Sequence, residues 1–369
     1  MHKEESGLPQ GVRGTGFLTE LTARQSELSI GCAHDIEPLH ARQGQTRARL
    51  GEVHVSNDAP VVDGPGRAPG PVDRVPGVYV HKTDESEVLL AAYRRSGPDT
   101  FRVVARWPTR HRFYRPVHGG YDPLLVAESV RQAVPLLSHA AYDVPFGHRQ
   151  SWDYFRCTAD MAALAATADR PEVELRINCG DIVRRAGRLV SLSMRVRMVR
   201  GGRTIGRAEL GFHNHPPAVY ARLRGRYGNL DAALAGAVPP APPMAPADVA
   251  RDRPADVVLS PAGSPARSRL RVDLTHPVLF DHPVDHIPGM LLLEGARQAA
   301  HAALAPTPMV VVGLDASFHR YAELDAPCWI ESESGAGTAD GAAARRAVRV
   351  TARQGAVRRF TCTVLLDPP

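Results

Sequence analysis

Apolar positions recur along this chain at two spacings, and each spacing marks a different kind of element. From Asp122 the run DPLLVAESVRQAVPLLSHA sets apolar residues at helical intervals behind an N-cap aspartate and a first-turn proline. This predicts a helix of about five turns, with Pro135 as a place for a kink. A second apolar helix is predicted from about Pro288 to Ala305. Short alternating or β-rich runs accompany the first helix at Val78–His81, Glu87–Arg94, Thr100–Trp107, Trp152–Cys157, Glu172–Cys179, Leu189–Val199 and Arg203–Phe212. Arg200-Gly201-Gly202 suits a hairpin turn between the last two. Similar runs at Leu270–Leu274, Met309–Phe318, Cys328–Ser332, Ala347–Ala352 and Val357–Leu366 accompany the second helix.

Both helices carry the signature Glu-x-x-Arg-Gln-Ala. Glu128, Arg131, Gln132 and Ala133 match Glu294, Arg297, Gln298 and Ala299, and Leu124 and Leu125 fall opposite Met290 and Leu291. The same order of elements surrounds each copy, so the chain reads as a duplication. One long helix against one strongly curved antiparallel sheet is the hotdog arrangement, and the expected class is α+β, a tandem double hotdog. Proline and glycine punctuation sets the boundaries: a flexible arm over 1–75, a first unit over 76–225, a stiff, extended Pro/Ala-rich linker over 226–256, and a second unit over 257–369.

A chain of 369 residues with 43% hydrophobic content can fill two cores. No run approaches the roughly 18 apolar residues of a membrane span, and the start lacks the apolar stretch of a secretory leader. A cytoplasmic, membrane-free protein is expected. The five cysteines are scattered and form no Cys-x-x-Cys pair, which suggests neither a disulfide framework nor a zinc site. A net charge of +6 invites a nucleic-acid reading. However, the arginines alternate with apolar residues, as in Met194-Arg195-Val196-Arg197-Met198, the pattern of a solvated strand face, and no nucleic-acid partner is expected. A basic surface also suits an acidic protein partner such as an acyl carrier protein.

The candidate chemistry lies in FDHPVDHIPGMLLLEGARQAAH, residues 280–301. Its loop holds Asp281, His282, Asp285 and His286. The Gly289 amide, at the start of the helix, suits an oxyanion donor because first-turn N–H groups are unpaired and the helix dipole helps. Glu294 is a candidate general base, with Arg297 and Gln298 on the same face. The spacing is equally compatible with a Glu294–Arg297 ion pair that only fixes the helix, and His282 and His286 suit turn roles as well as substrate binding. No helical His-x-x-x-His accompanies them, and no metal or cofactor is expected. In the first unit Asp122-Pro123 stands where the second has Pro288-Gly289. Proline has no N–H to donate, which makes the second unit the expected place of chemistry and Glu128 with Arg131 its pseudo-equivalent.

Residues 280–300, together with VHKTDESEVLLAAY, YDPLLVAESVRQA and DVPFGHRQSWDYF of the first unit, resemble the A-factor biosynthesis (AfsA) hotdog family across roughly 76–369. HPVDHIPGMLLLEGARQ is also similar, more distantly, to the hydroxyacyl carrier-protein dehydratases, but its loop is shorter and an arginine follows the glutamate. The AfsA resemblance implies an acyltransferase. A 3-oxoacyl group would pass from an acyl carrier protein thioester to the hydroxyl of dihydroxyacetone phosphate, toward γ-butyrolactone-type signals of actinomycetes. On that reading Glu294 is the base, Gly289 the oxyanion donor, Arg297 the orienting cation and Glu128 a contributor across the interface between units. Arg131, His282, His286 and Gln298 would bind substrate. A dehydratase or thioesterase on the same scaffold, or a non-catalytic ligand-binding regulator, is the alternative, and a homodimer is left open.

Overall fold

The computed structural model describes residues 75–165, 172–264, 266–335 and 345–369. The arm expected over 1–75, with Cys32, lies outside them except for Val75. Among the described residues no helix is long and apolar enough to cross a membrane.

In the first half, β1 (Leu90–Gly97) and β2 (Thr100–Arg106) precede helix α1 (Leu124–Ala140). After it come β3 (Arg149–Ala159), the single turn α2 (Met161–Leu164), β4 (Glu172–Arg185), β5 (Arg188–Arg200) and β6 (Arg203–His215). Two short helices, α3 (Pro217–Arg224) and α4 (Leu230–Ala235), lead to the second half. There β7 (Leu259–Ser264) and β8 (Arg267–Leu270) precede α5 (Gly289–Leu304), followed by β9 (Val310–Phe318), β10 (Trp329–Ser334), β11 (Arg346–Gln354) and β12 (Val357–Asp367). All strands join one sheet in the order β1-β2-β4-β5-β6-β3-β9-β12-β11-β10-β8-β7. Counted from its outer edge inward, each half has the same order, with β3 and β9 meeting antiparallel in the middle. The duplication visible in the helices is therefore repeated in the strand topology.

Alternation places the two sides of each strand. In β5, Met194, Val196 and Met198 are buried while Arg195 and Arg197 face solvent, as expected for a half-buried strand. Helix α1 runs through Pro135 without a break, and the Asp122 carboxylate accepts from the Leu124 amide at 2.8 Å as its cap. Almost all of α1 and the first three turns of α5 are buried, so their charges must find partners inside the protein.

Three expectations change. Val78–His81 is not a strand: Gly77–Val80 forms a 3-10 turn closed by Lys82 N donating to Gly77 O at 2.9 Å. A Cβ on Gly77 would meet Lys82 O at 2.6 Å, so the turn needs glycine there, and His81 ends it in the left-handed region at φ 53°. The run 270–274 leaves the sheet at Leu270, and the edge is formed instead by β7. The segment 226–256 is in part helical and packed, rather than a stiff, extended linker throughout. It contains α4 and 3-10 turns at Pro246–Val249 and Pro254–Asp256, and it is tied down by Val238 N to Leu324 O and Met244 N to Leu259 O, both at 2.9 Å.

Candidate active site

The two glutamine side chains of the repeated signature do the same job in both halves. Gln132 Oε1 accepts from Leu89 N, and its Nε2 donates to Glu87 O and to Glu128. Gln298 Oε1 accepts from Val258 N, and its Nε2 donates to Asp256 O and to Glu294. Each glutamine thus pins its helix to the backbone just before the first strand of its own half. With Gln298 wholly buried and all of these groups engaged, the side chain placed among the substrate ligands is occupied by structure.

The glutamates differ. Glu294 has no exposed surface and lies between two guanidiniums. Arg251 Nε and Nη2 reach its Oε1 at 2.9 and 2.7 Å, and Arg297 Nε lies 2.9 Å from Oε2. The Arg251 Nη2 and Arg297 Nε contacts are close ion pairs that lack hydrogen-bond angles. Arg297 Nη1 also reaches Asp122 of the first half at 3.2 Å, and Arg251 Nη1 donates to Phe113 O at 2.9 Å. Burial raises the Glu294 pKa, but the opposing pull of Arg251 and Arg297 leaves it below the usual range. A carboxylate held in this way is ionised near neutral pH, sealed from solvent and a poor proton acceptor. Sequence reasoning missed Arg251, which comes from the segment expected to be a linker.

Around Glu128 the same motif is more open. Arg131 donates through Nε and Nη2 at 2.9 Å each, and Lys82 Nζ lies 3.3 Å away. Arg131 Nη1 has no protein partner among the described residues, and its side chain keeps 19% exposure against 5% for Arg297. Burial lifts the Glu128 pKa, but the charges of Arg131 and Lys82 and the hydrogen bonds from Arg131 and Gln132 bring it down to about 2. Glu128 is therefore an anion that fixes two cations.

The loop before α5 is tied to the segment that carries Lys82. Asp281 accepts from Thr83 N at 2.7 Å and Asp84 N at 3.1 Å, and Thr83 Oγ1 donates to Asp281 O at 2.5 Å. These bonds lay the second half's loop across residues 82–84 of the first. His282, 35% exposed, follows with Nδ1 3.4 Å from the Asp281 carboxylate, close enough to act electrostatically on His81. His286 Nδ1 lies 2.7 Å from Asp285, which accepts from Tyr220 Oη at 2.7 Å and is bonded by Arg224. The loop thus holds two Asp–His pairs of like construction. Hydrogen bonds hold both aspartates well below the normal carboxylate range against the effect of burial. Pro288 offers no side-chain cap to α5, and a Cβ on Gly289 would meet Phe318 at 3.3 Å, so the first-turn amides stand against an aromatic wall that continues into Trp152.

His81 completes the centre. Val144 O can only accept, so the 2.6 Å contact places a proton on His139 Nδ1. The 3.0 Å contact between His139 Nε2 and His81 Nε2 then takes its proton from His81, leaving His81 Nδ1 as a bare acceptor. Burial, His139, Arg131, His282 and Arg149 lower the His81 pKa to about 3, and burial with Arg297 lowers that of His301 to about 4. Both imidazoles stay neutral when folded but charge when unfolded below their ordinary value of 6.5. The unfolded state binds more protons in this window, so stability is lost as pH falls from about 6.5 toward 4; these two groups contribute up to about two protons to the slope, and His139, His148, His215, His276 and His319, also lowered by burial, add to it. Urea midpoints measured between pH 7 and 4 should show this fall, and His81→Asn should flatten it; an unchanged slope in the variant would contradict the assignment.

A cleft of about 570 Å³ lies apart, lined by His118, Asp160, Met161, Val310, Val312 and Arg345 among others, and includes none of the residues of either charged centre. Lys82, Thr83, His81 and Tyr220 were not singled out in the sequence. The available signal was Lys82 itself, which is the only lysine besides Lys3 in a chain otherwise built with arginine.

Comparison with known proteins agrees with this architecture. The family model described as the A-factor biosynthesis hotdog domain matches residues 66–213 and 233–365, one segment per half. A 2-oxo-3-(phosphooxy)propyl 3-oxoalkanoate synthase from Streptomyces virginiae is 42% identical over 79% of this chain and 96% of its own length. A protein of the same name from Streptomyces coelicolor is 38% identical over 79% and 90% respectively. Among solved structures, a putative oleoyl thioesterase from Lactobacillus plantarum aligns at a TM-score of 0.47 and 9% identity, covering 74% of this chain and 98% of that one. With two matched segments spanning both halves of the sheet, the chain belongs to the A-factor biosynthesis hotdog family.

Proposed function

We propose that this chain is an acyltransferase that forms a 3-oxoalkanoate ester of dihydroxyacetone phosphate from a 3-oxoacyl thioester on an acyl carrier protein, and that the chemistry occurs where the loop before α5 meets α1. The observation that supports the siting is the bonding of Asp281 to Thr83 and Asp84, which ties the loop bearing His282 to the segment whose Lys82 pairs with Glu128. The printed name of the relatives supplies both halves of the product, a 3-oxoalkanoate and a phosphooxypropyl ketone.

The roles follow from chemistry. His282 takes the proton of the acceptor hydroxyl, as its Nδ1 faces Asp281 and leaves Nε2 for substrate. The alkoxide oxygen attacks the thioester carbonyl, whose oxygen turns toward the Gly289 amide as charge develops. Collapse expels the thiolate, and His282 returns the proton to it. Lys82 and Arg131, set by Glu128, together with Arg149, exposed and lacking a carboxylate partner among the described residues, hold the phosphate dianion. Phe318 and Trp152 give the acyl chain an apolar wall.

Thiol release from a 3-oxoacyl thioester should depend on dihydroxyacetone phosphate, and Arg149→Ala should raise KM for that acceptor by about tenfold while changing kcat little. Equal release without the acceptor would identify a thioesterase instead.

A further inference from the structure

Large apolar side chains standing together in solvent mark a surface that something covers. Among the described residues six stand well out: Val78, Phe146, Val183, Val219, Leu223 and Val357. The first five are 43–56% exposed, and the pairing of Arg149 with His215, His213 with Ser191 and Ser191 with Val183 brings the α1–β3 loop, the β4–β5 hairpin and the start of α3 to one end of the sheet. Phe146 stacks on His139 at 4.5 Å and meets Tyr79 at 5.2 Å, next to Val78 and just before His81. Val183 belongs to the β4–β5 hairpin, whose Arg184 covers Tyr142 at 5.7 Å in the same α1–β3 loop that holds Phe146. Val219 and Leu223, one turn apart on α3, flank Tyr220, over which Arg149 lies at 6.0 Å.

The charge of this rim is mostly positive. Within 76–83, 142–149, 181–188 and 217–224, Arg149, Arg184, Arg185, Arg188 and Arg222 have no carboxylate partner among the described residues. The acids there outside the buried set are Asp143 and Asp181, and Asp181 already accepts from Ser193 Oγ at 2.7 Å. Arginines interleaved with exposed apolar groups suit a protein carrying both an acidic and an apolar face. A nucleic acid would leave the apolar groups uncovered, and a second copy of a chain with net charge +6 meets like charge.

We propose that this rim is the docking face for an acidic carrier protein, whose thioester-bearing arm enters between His81 and Arg149. The proposal rests on the thioester-transfer reading above and locates its donor.

The test uses the full chain and one 3-oxoacyl group presented in two ways, on a holo acyl carrier protein and on N-acetylcysteamine. For the double variant Arg184→Glu with Arg188→Glu, and separately for Leu223→Ser, KM for the carrier-borne donor should rise about tenfold or more. Direct titration with holo-carrier should weaken by the same factor, while kcat/KM for the small thioester stays within about twofold. A parallel loss with both donors, or no change with either, would overturn the docking face. If the wild type is a dimer that Leu223→Ser dissociates with carrier binding unchanged, the face belongs to a second copy. If it binds anionic phospholipid vesicles through these residues and not the carrier, it belongs to a membrane surface. A wild type that turns over neither donor removes the transfer reading, and the titration then decides the docking face alone.

Discussion

Replacing His282 with alanine should lower kcat/KM for ester formation by about 10²- to 10⁴-fold, the span expected when a positioned general base is lost. Stability should change little, because the side chain is 35% exposed and its one bond, to Asp281, is long at 3.4 Å. Asp281→Asn should behave differently. Asp281 is the acceptor for two backbone amides of the other half, so this variant loses both a fixed histidine and part of the contact between halves. The pair is measured by steady-state kinetics alongside urea unfolding. If His282→Ala keeps more than about a tenth of wild-type kcat/KM, the base lies elsewhere, and His286, with its shorter bond to Asp285, is next to be tried.

The second large effect concerns stability. Glu294→Ala, or Arg251→Ala, removes one member of a sealed ion cluster and leaves the others charged and buried. Breaking such a pair costs about 3–5 kcal/mol, far more than the surface ion pairs of this protein contribute. Equilibrium unfolding in urea should show the loss, and Glu294→Gln should retain transfer in whatever fraction remains folded. A loss under about 1 kcal/mol would show that the cluster does not hold the halves together. A well-folded Glu294→Gln with kcat abolished and KM unchanged would return the role of base to α5.

The elements and their duplication were legible because they are local: helical spacing in α1 and α5, alternation in β5, and a six-residue signature repeated in equivalent settings. The roles within the signature were not, because they depend on partners distant in sequence. The spacing fitted a base or an ion pair at Glu294 equally; the pair with Arg297 is present, and Arg251, 43 positions earlier, adds a second cation that spacing could not show. His282 lies close in sequence to Glu294, yet the Asp281–Thr83 bond spans 198 positions and ties its loop to the first half. The prolines at 239–243 fit an extended tether, but the chain on either side docks and delivers Arg251 to the core. Helical spacing says which side chains share a face, and it says nothing of what the opposite half brings to that face.

The shared strand order of the two halves has a further consequence. In a symmetric assembly of identical subunits, every substitution appears at both interfaces at once, so no glutamate could be walled in without losing its twin. Joining the copies in one chain lifts that constraint. One glutamate has become the keystone between halves while the other, also buried, holds Lys82 and a partly exposed Arg131, a division of labour that the covalent link permits.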